Sequence, residues 1–276
     1  MNGRSVISRY LFLDFNKKFD YQKSGIMRFT FFALICYLLF TVFSISGLQA
    51  QARHTFSAWS AVFSSFKISN KLSIHFDGQV RSGDKWEQLQ TILIRPGLHY
   101  KVNANQIATI GYAFVQQERL LAGVNDWLPE HRIWEQYIIN QAFSIDGHAS
   151  SLQHRFRLEQ RFLPKLVISN NELDNDGYMF AQRLRYFVRS IFPLAPCSKF
   201  EKGMFISLQD EIMVNISGAS YVNDKFFDQN RAYASLGYRL SKKADIELGY
   251  MHQFVAGRNN TRTINSILQL GIYLRL

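Results

Sequence analysis

The chain has 276 residues, of which 47% are hydrophobic and 15% aromatic, so its composition excludes a disordered or collagen-like protein. Charged residues make up 19%, below the roughly 25% of ordinary soluble domains, and the formal net charge is +11. The 2 cysteines exclude a disulfide scaffold and a cysteine-rich metal finger. Abundant aromatic residues with only 5 prolines favour extended strands whose apolar rings face something other than plain water.

The first feature along the chain is an apolar segment over residues 29–43. Arg28 precedes it, and small and polar residues ending in Ala50-Gln51-Ala52 follow it. A basic start, an apolar core of this length and an Ala-x-Ala exit predict a cleavable signal peptide over 27–52. The alternative is a retained anchor, since about 20 residues at about 1.5 Å each span a bilayer of about 30 Å. No basic stop-transfer cluster follows the segment, which favours the signal peptide.

Residues 1–26 fit neither a signal peptide nor a packed domain, and we interpret them as an extension upstream of a start at Met27. Cys36 lies within the predicted signal peptide. Cys197 is therefore the single thiol expected in the processed barrel domain, 53–276.

The remaining chain shows a hydrophobic period of two, which indicates strands. From Leu152 to Phe162, mostly apolar residues alternate with a charged or amide side chain at every second position. Most such segments have 11 to 15 residues, longer than the about 5–6 of soluble strands and sufficient to cross a membrane. The alternation predicts strands at 55–66, 71–82, 88–101, 105–118, 131–143, 151–163, 178–191, 203–215, 229–241, 244–256 and 262–276.

The connections between these strands alternate in predicted length. Short turns with Asn or Gly where positive φ is favoured alternate with longer polar loops, as in transmembrane barrels with short periplasmic turns. The segment 192–202 is a long connection on the short-turn side. The short turns are Ser69-Asn70, Asn103-Ala104-Asn105, Asp146-Gly147 and Ser241-Lys242-Lys243, and the long loops are 83–87, 119–130, 164–177, 216–228 and 257–261.

These features predict an all-β protein, a closed antiparallel transmembrane β-barrel with a cleavable amino-terminal hydrophobic helix. Closure satisfies every backbone donor and acceptor, which a structure crossing hydrocarbon requires. The pattern shows eleven strands, but bacterial single-chain barrels have even numbers. We therefore expect about 12 strands, with 10 as the fallback.

The two faces of the predicted strands differ in chemistry. One face carries arginines with interspersed acids and is predicted to line the lumen, and the other is apolar and is predicted to face lipid. An open soluble sheet with a solvated arginine face is the alternative, but it requires neither the signal peptide nor the strand lengths. The charged lumen-facing set is Arg81, Arg95, Arg132, Arg155, Arg157, Glu159, Arg161, Arg183, Arg185, Arg189, Glu211, Arg231, Arg239, Glu247 and Arg275. The lipid-facing set is Phe156, Leu158, Leu184, Leu208, Leu236, Leu248, Leu270, Ile272 and Leu274.

The arginine-rich face allows two interpretations. It either forms a positively charged pore that favours anions, or a salt-bridged plug that closes and stiffens a narrow barrel. Either arrangement leaves a residual positive field, because arginines outnumber acids. Tyrosines near strand ends or on the outer face are candidates for interface belts, or are simply good strand formers: Tyr100, Tyr112, Tyr137, Tyr186, Tyr238 and Tyr250.

Several short motifs occur in order along the strands: Glu130-His131-Arg132 with Trp134 and Gln136, the run 154–162, Arg183-Leu184-Arg185-Tyr186, the run 227–231, and the run 248–253. Together these motifs resemble the domain of unknown function 2490 family of uncharacterised outer-membrane barrels. The resemblance implies a Gram-negative outer-membrane barrel, mostly of Bacteroidota, with no assigned activity. Its expected partners are outer-membrane lipid and the barrel-assembly machinery. Such barrels usually end in an aromatic residue, whereas this chain ends in Leu276.

We expect no enzyme, cofactor or metal site. Hydrolase, zinc-protease, P-loop and dinucleotide motifs are missing from the sequence, and we interpret Glu130-His131-Arg132 as a strand start at the outer rim. An outer-membrane lipid-modifying enzyme is an alternative for which Ser190 and His154 have compatible phase, and a soluble barrel binding apolar ligands is another. The basic residues alternate with acids behind an export signal, so we expect no nucleic-acid binding.

Overall fold

A computed structural model describes residues 52–276, which form a closed barrel of eleven strands. The prediction of an all-β closed barrel is confirmed. The upstream extension over 1–26 and the hydrophobic segment over 29–43 lie outside the described residues. The strands are β1 (Ala52–Lys67), β2 (Leu72–Ser82), β3 (Leu89–Lys101), β4 (Gln106–Leu121), β5 (Val124–Ile145), β6 (His148–Ser169), β7 (Glu172–Pro193), β8 (Gly203–Ser217), β9 (Phe227–Ser241), β10 (Ala244–Ala256) and β11 (Arg262–Arg275).

The expected number of strands, about 12 or 10, is wrong. Neighbours in sequence pair antiparallel, and β1 closes the barrel by pairing parallel to β11 from Ala52↔Arg262 to Ser65↔Arg275. An odd up-and-down chain brings its first and last strands together in the same direction. A parallel ladder satisfies the backbone groups only slightly less well than an antiparallel one, so closure needs no twelfth strand.

The parallel pair defines two ends of the barrel. We call the rim where β1 and β11 begin the N rim, and the rim where they end, beside Leu276, the C rim. The N rim holds the connections 83–88, 122–123, 170–171, 218–226 and 257–261, and the C rim holds 68–71, 102–105, 146–147, 194–202 and 242–243. Within residues 52–276, no helix has the length and apolar character needed to cross a bilayer.

Two of the predicted long loops are wrong. The segments 119–130 and 164–177 are mostly strand, because β5, β6 and β7 have 22 residues each and extend beyond their neighbours. Ala122-Gly123 and Asn170-Asn171 close these hairpins with positive φ at both positions, the requirement of a tight hairpin turn. Most residues next to these two turns are exposed, so a polar sequence there does not indicate a loop.

The connection 194–202 folds against the C rim. Its Cys197 bonds through the main chain to the adjacent hairpin, with N···O distances of 2.9 Å to Gly147 and 3.0 Å from Ala149. The Phe200 ring lies 4.4 Å from the guanidinium of Arg239. At the outer edge, a hydrogen bond from the ammonium of Lys242 holds the pKa of Glu201 below its ordinary value. This segment covers part of the rim, which explains its length on the side of short turns.

Candidate functional site: the arginine-rich lumen

The structure places the predicted lumen residues on the inward side of the wall. They reach this position because strand side chains alternate between the two faces of a sheet. Arg275 is the most exposed of them, at the C rim, where it donates to Asp245 at 2.7 Å. The buried members are Arg95, Arg132, Arg157, Glu159, Arg161, Arg183, Arg185, Glu211 and Glu247, and the half-buried ones are Arg81, Arg155, Arg189, Arg231 and Arg239.

The predicted lipid-facing residues point away from the lumen. Leu274, near the C rim, also borders the mouth of an internal cavity. The exposed members are Phe156, Leu184, Leu208, Leu236, Leu248 and Leu270, and the half-buried ones are Leu158, Ile272 and Leu274.

Glu159 on β6 is the centre of the charge network. Its carboxylate accepts two hydrogen bonds from Arg183, at 2.6 and 3.0 Å, and one from Arg185 at 2.6 Å. Three further guanidiniums lie within 3.6 to 4.0 Å: those of Arg95, Arg132 and Arg157. One fully buried negative charge therefore holds five arginines from β3, β5, β6 and β7.

A second carboxylate, Glu130 on β5, organises the side nearer the N rim. It accepts bonds of 2.7 Å from both Arg132 and Arg161, and one of 3.2 Å from Arg119. Interpreting Glu130-His131-Arg132 as a strand start at the outer rim is wrong. β5 begins at Val124, and Glu130 has no exposed surface.

Bridging arginines carry the network across strands that do not touch in the sheet. Arg185 joins Glu159 to Glu211 on β8, with distances of 2.7 and 2.8 Å to the latter's two oxygens. Arg183 joins Glu159 to Asp228 on β9 at 2.7 Å. These contacts join β6 through β9, and the 3.7 Å contact of Arg95 on β3 with Glu159 extends the network three strands further around the wall.

A separate group of ion pairs lies nearer the C rim. Glu247 pairs with Arg189 and accepts hydrogen bonds from the hydroxyls of Ser207 and Ser235 at 3.2 and 3.1 Å. Arg239 binds Asp245 through two bonds of 2.8 and 2.9 Å.

Three arginines have a glutamine oxygen, not a carboxylate, as their nearest side-chain acceptor. One is Arg157, which donates to Gln136 at 2.6 and 3.0 Å, and the other two are Arg81 and Arg231. Arg81 donates to Gln79 from Nε and Nη2, at 3.1 and 2.5 Å, and Arg231 donates from Nε to Gln229 at 3.0 Å. Both guanidiniums lie over the indole of Trp59, at 4.0 and 5.1 Å from the ring centroid. Two positive charges therefore share one aromatic ring with little local compensation.

Two cavities lie along the lumen axis. The larger, which we call the C-rim chamber, has a volume of about 470 Å³ and extends from mid-barrel to the strand ends at Ser65 and Leu274. The smaller, of about 200 Å³, lies toward the N rim beside Thr91 and Gln117. Five residues border both cavities: Trp59, Arg81, Arg95, Arg185 and Arg231.

The geometry can be compared with known proteins. The family model described as "Protein of unknown function (DUF2490)" matches residues 56–264. The chain belongs to this family. It is also 25% identical over 197 residues to an uncharacterised protein of Methylorubrum extorquens, covering 71% of this chain and 78% of that protein. No solved structure is significantly similar to the chain.

Some members of the network in this DUF2490 protein were not among the predicted site residues. Arg119, Glu130, Asp228 and Asp245 all make ion pairs inside the barrel. Arg119, Glu130 and Asp228 lie in segments predicted as loops, so the sequence pattern assigned them to neither the inward nor the outward face. Asp245 lies two residues before Glu247 on β10 and therefore on the same inward face. This spacing is the sequence signal that could have identified it.

The outer face carries polar contacts as well. His131 Nδ1 lies 2.5 Å from the hydroxyl of Tyr112, and its Nε2 lies 3.1 Å from that of Tyr178. His154 Nδ1 lies 2.8 Å from the hydroxyl of Tyr186. Ser190 pairs in register with Leu152, one position further along the same outer face. Across residues 52–276 there is no cluster of three or more His, Cys, Asp or Glu residues able to hold a metal ion.

Proposed function

We propose that this DUF2490 protein is an integral outer-membrane β-barrel whose lumen is closed at mid-height by its arginine–carboxylate network. The observation that carries the proposal is the distribution of side chains across the wall. Large apolar residues are exposed on the outside of most strands, for example Ile110, Leu208, Leu236 and Leu248, while the charges are inside. Contiguous apolar surface on this scale is unfavourable in water and suits acyl chains.

The strand lengths and the closure support the same proposal. The shortest strand, β2, has 11 residues, and a tilted transmembrane strand needs about 9–11 in the hydrocarbon. A closed barrel leaves no unpaired sheet edge in lipid. Outward tyrosines such as Tyr100, Tyr112 and Tyr250 are exposed and suit the membrane interface.

The network favours a closed barrel over an open porin. Inside the barrel, the charged contacts of Arg183 and Arg185 link β6 to β9. The ion pairs of Arg95 with Glu159 and of Arg189 with Glu247 each join strands that lie three apart around the wall. An ion that passes mid-height has to displace these charge-assisted bonds. In this proposal the barrel is structural, or conducts anions only when the network rearranges.

The proposed orientation places the C rim in the periplasm and the N rim outside. The carboxyl-terminal Leu276 lies at the C rim, where its amide donates to Ser65. The β4–β5 and β6–β7 hairpins extend beyond the wall at the N rim, as the longer outer segments of such barrels do. Outer-membrane lipid and the barrel-assembly machinery are the proposed partners.

Fractionation of cells tests the membrane assignment directly. We expect the protein in the outer-membrane fraction, released by detergent but not by high salt. The unboiled sample should migrate differently from the boiled sample on a denaturing gel, because a closed barrel resists detergent until heated. Recovery as a soluble periplasmic protein would reject the proposal and favour a soluble barrel that binds apolar ligands.

The proposal assigns the protein no catalytic step. The alternative, a lipid-modifying enzyme, drew on Ser190 and His154, and His154 contacts the hydroxyl of Tyr186 in this structure. Deletion of the gene is expected to leave the membrane lipid species unchanged. A changed lipid profile, restored by the wild-type gene but not by a His154→Ala variant, would favour the enzyme.

A further inference from the structure

The C-rim chamber carries a surplus of positive charge. Among the described residues, its wall includes seven arginines and two carboxylates, Glu211 and Asp245. Three of the arginines, Arg95, Arg185 and Arg189, also pair with carboxylates outside the chamber lining, those of Asp77, Glu159 and Glu247. Both lining carboxylates are already bound, Glu211 by Arg155 and Arg185, and Asp245 by Arg239. The arginines are Arg81, Arg95, Arg155, Arg185, Arg189, Arg231 and Arg275.

The surplus is concentrated at the inner end of the chamber, on Arg81 and Arg231. Within residues 52–276, Arg81 has no carboxylate oxygen within 4.0 Å, and the nearest one to Arg231 is that of Glu211 at 4.0 Å. Their Nε atoms are held by glutamine oxygens, and both stack on Trp59. Guanidiniums fixed in this way without a close carboxylate partner suit an anionic group, which would offset their positive charge and accept charge-assisted hydrogen bonds.

The side walls of the chamber are aromatic. Phe63, Phe187, Tyr233 and Tyr273 line it, and the guanidiniums of Arg155 and Arg189 lie over Phe187 and Tyr273 at 4.0 and 4.4 Å. A volume of about 470 Å³ is in the range of small-molecule sites, about 300–1,000 Å³. An inorganic anion would leave most of this apolar wall uncovered.

We propose that the C-rim chamber binds an organic anion, an apolar aromatic ring carrying one carboxylate or sulfonate, with the anionic group at the inner end of the chamber beside Arg81 and Arg231. The inference rests on the proposed function only for the side from which the ligand enters. The chamber opens at the C rim, which the proposed orientation places in the periplasm. The binding itself requires only the folded barrel.

Calorimetric titration of the full barrel in maltoside micelles tests this, with naphthalene-2-sulfonate as the probe. The uncharged naphthalene-2-methanol is the matched control for partition into micelles, and sodium sulfate is the control for the anionic group alone. We expect saturable binding of the sulfonate, with the alcohol and sulfate each at least about tenfold weaker. Equal affinity for the alcohol, or for sulfate, would overturn the assignment of the ligand class.

The double variant Arg81→Gln/Arg231→Gln locates the site. It should weaken sulfonate binding by at least about tenfold. The control is Arg53→Gln, which replaces an exposed arginine on the same face of β1 as Trp59 and should leave binding unchanged. Unchanged binding by a folded double variant would overturn the proposal.

Boiling-dependent gel mobility shows whether the double variant is folded. If the variant does not fold, competition in the wild-type protein decides: added alcohol must fail to displace the sulfonate, and 2-naphthoate must succeed. Failure of the membrane assignment would appear in the fractionation and not in this titration.

Discussion

The indole of Trp134 occupies the space where a side chain on Gly111 would lie. A Cβ atom on Gly111 would be 2.6 Å from Cε2 of the indole and 2.5 Å from the carbonyl oxygen of Pro96. Gly97, Gly111 and Trp134 pair in one row across β3, β4 and β5. The two glycines therefore form the slot for a fully buried ring, which carries the guanidinium of Arg157 at 4.6 Å.

Gly111→Ala should destabilise the barrel. The added methyl group meets backbone on one side and a buried ring on the other, and such overpacking costs about 1–3 kcal/mol. Urea unfolding in micelles, followed by tryptophan fluorescence, measures the change in the free energy of unfolding. Gly83→Ala is the matched control, because its nearest neighbour would be 3.5 Å away, and we expect a change within about 0.5 kcal/mol. Equal effects of the two substitutions would contradict the slot.

Glu159→Gln should destabilise the barrel more strongly. It removes the single negative charge that Arg183, Arg185 and three further arginines share. Breaking a buried ion pair from one side costs about 3–5 kcal/mol. The same unfolding assay measures it, with the exposed Glu172→Gln at the hairpin end of β7 as the control. A stability equal to that of the wild type would show that Glu159 does not hold the network together.

The wild-type barrel should be electrically silent in planar bilayers at moderate voltage. The contacts of Arg183 and Arg185 belong to a network that joins β3 to β9 inside the barrel, so no continuous water path is expected at mid-height. Shortening both side chains, in Arg183→Ala/Arg185→Ala, should produce measurable current, biased toward anions by the remaining arginines. Steady conductance of the wild type would instead support the open pore.

Labelling of Cys197 tests the proposed orientation. This thiol is free and partly exposed at the C rim, so a maleimide too large to cross the outer membrane should react with it only after permeabilisation. Asn125→Cys in a Cys197→Ser background places a thiol on the β4–β5 hairpin at the N rim, and it should react in intact cells. The reverse pattern would invert the barrel.

The strand alternation was readable because its cause is local. In 152–162 the inward and outward residues differ at each step, so the faces of β6 follow from the sequence. Most of the predicted strand ends lie within a few residues of the observed ones for the same reason. The errors are at β5, β6 and β7, whose ends extend beyond the wall. There the two faces of a strand no longer meet different surroundings, so apolar and polar residues stop alternating.

Period, face and barrel class were thus determined by the order of residues alone, because a strand sorts its side chains without reference to any distant partner. Only the tertiary structure decided that β1 pairs parallel with β11, and that Arg95, on a strand remote in sequence, lies 3.7 Å from Glu159. These relations depend on the stagger and circumference of the closed sheet, which set which inward side chains meet across the lumen. The isolated position of Arg81 and Arg231 beside Trp59 has the same origin.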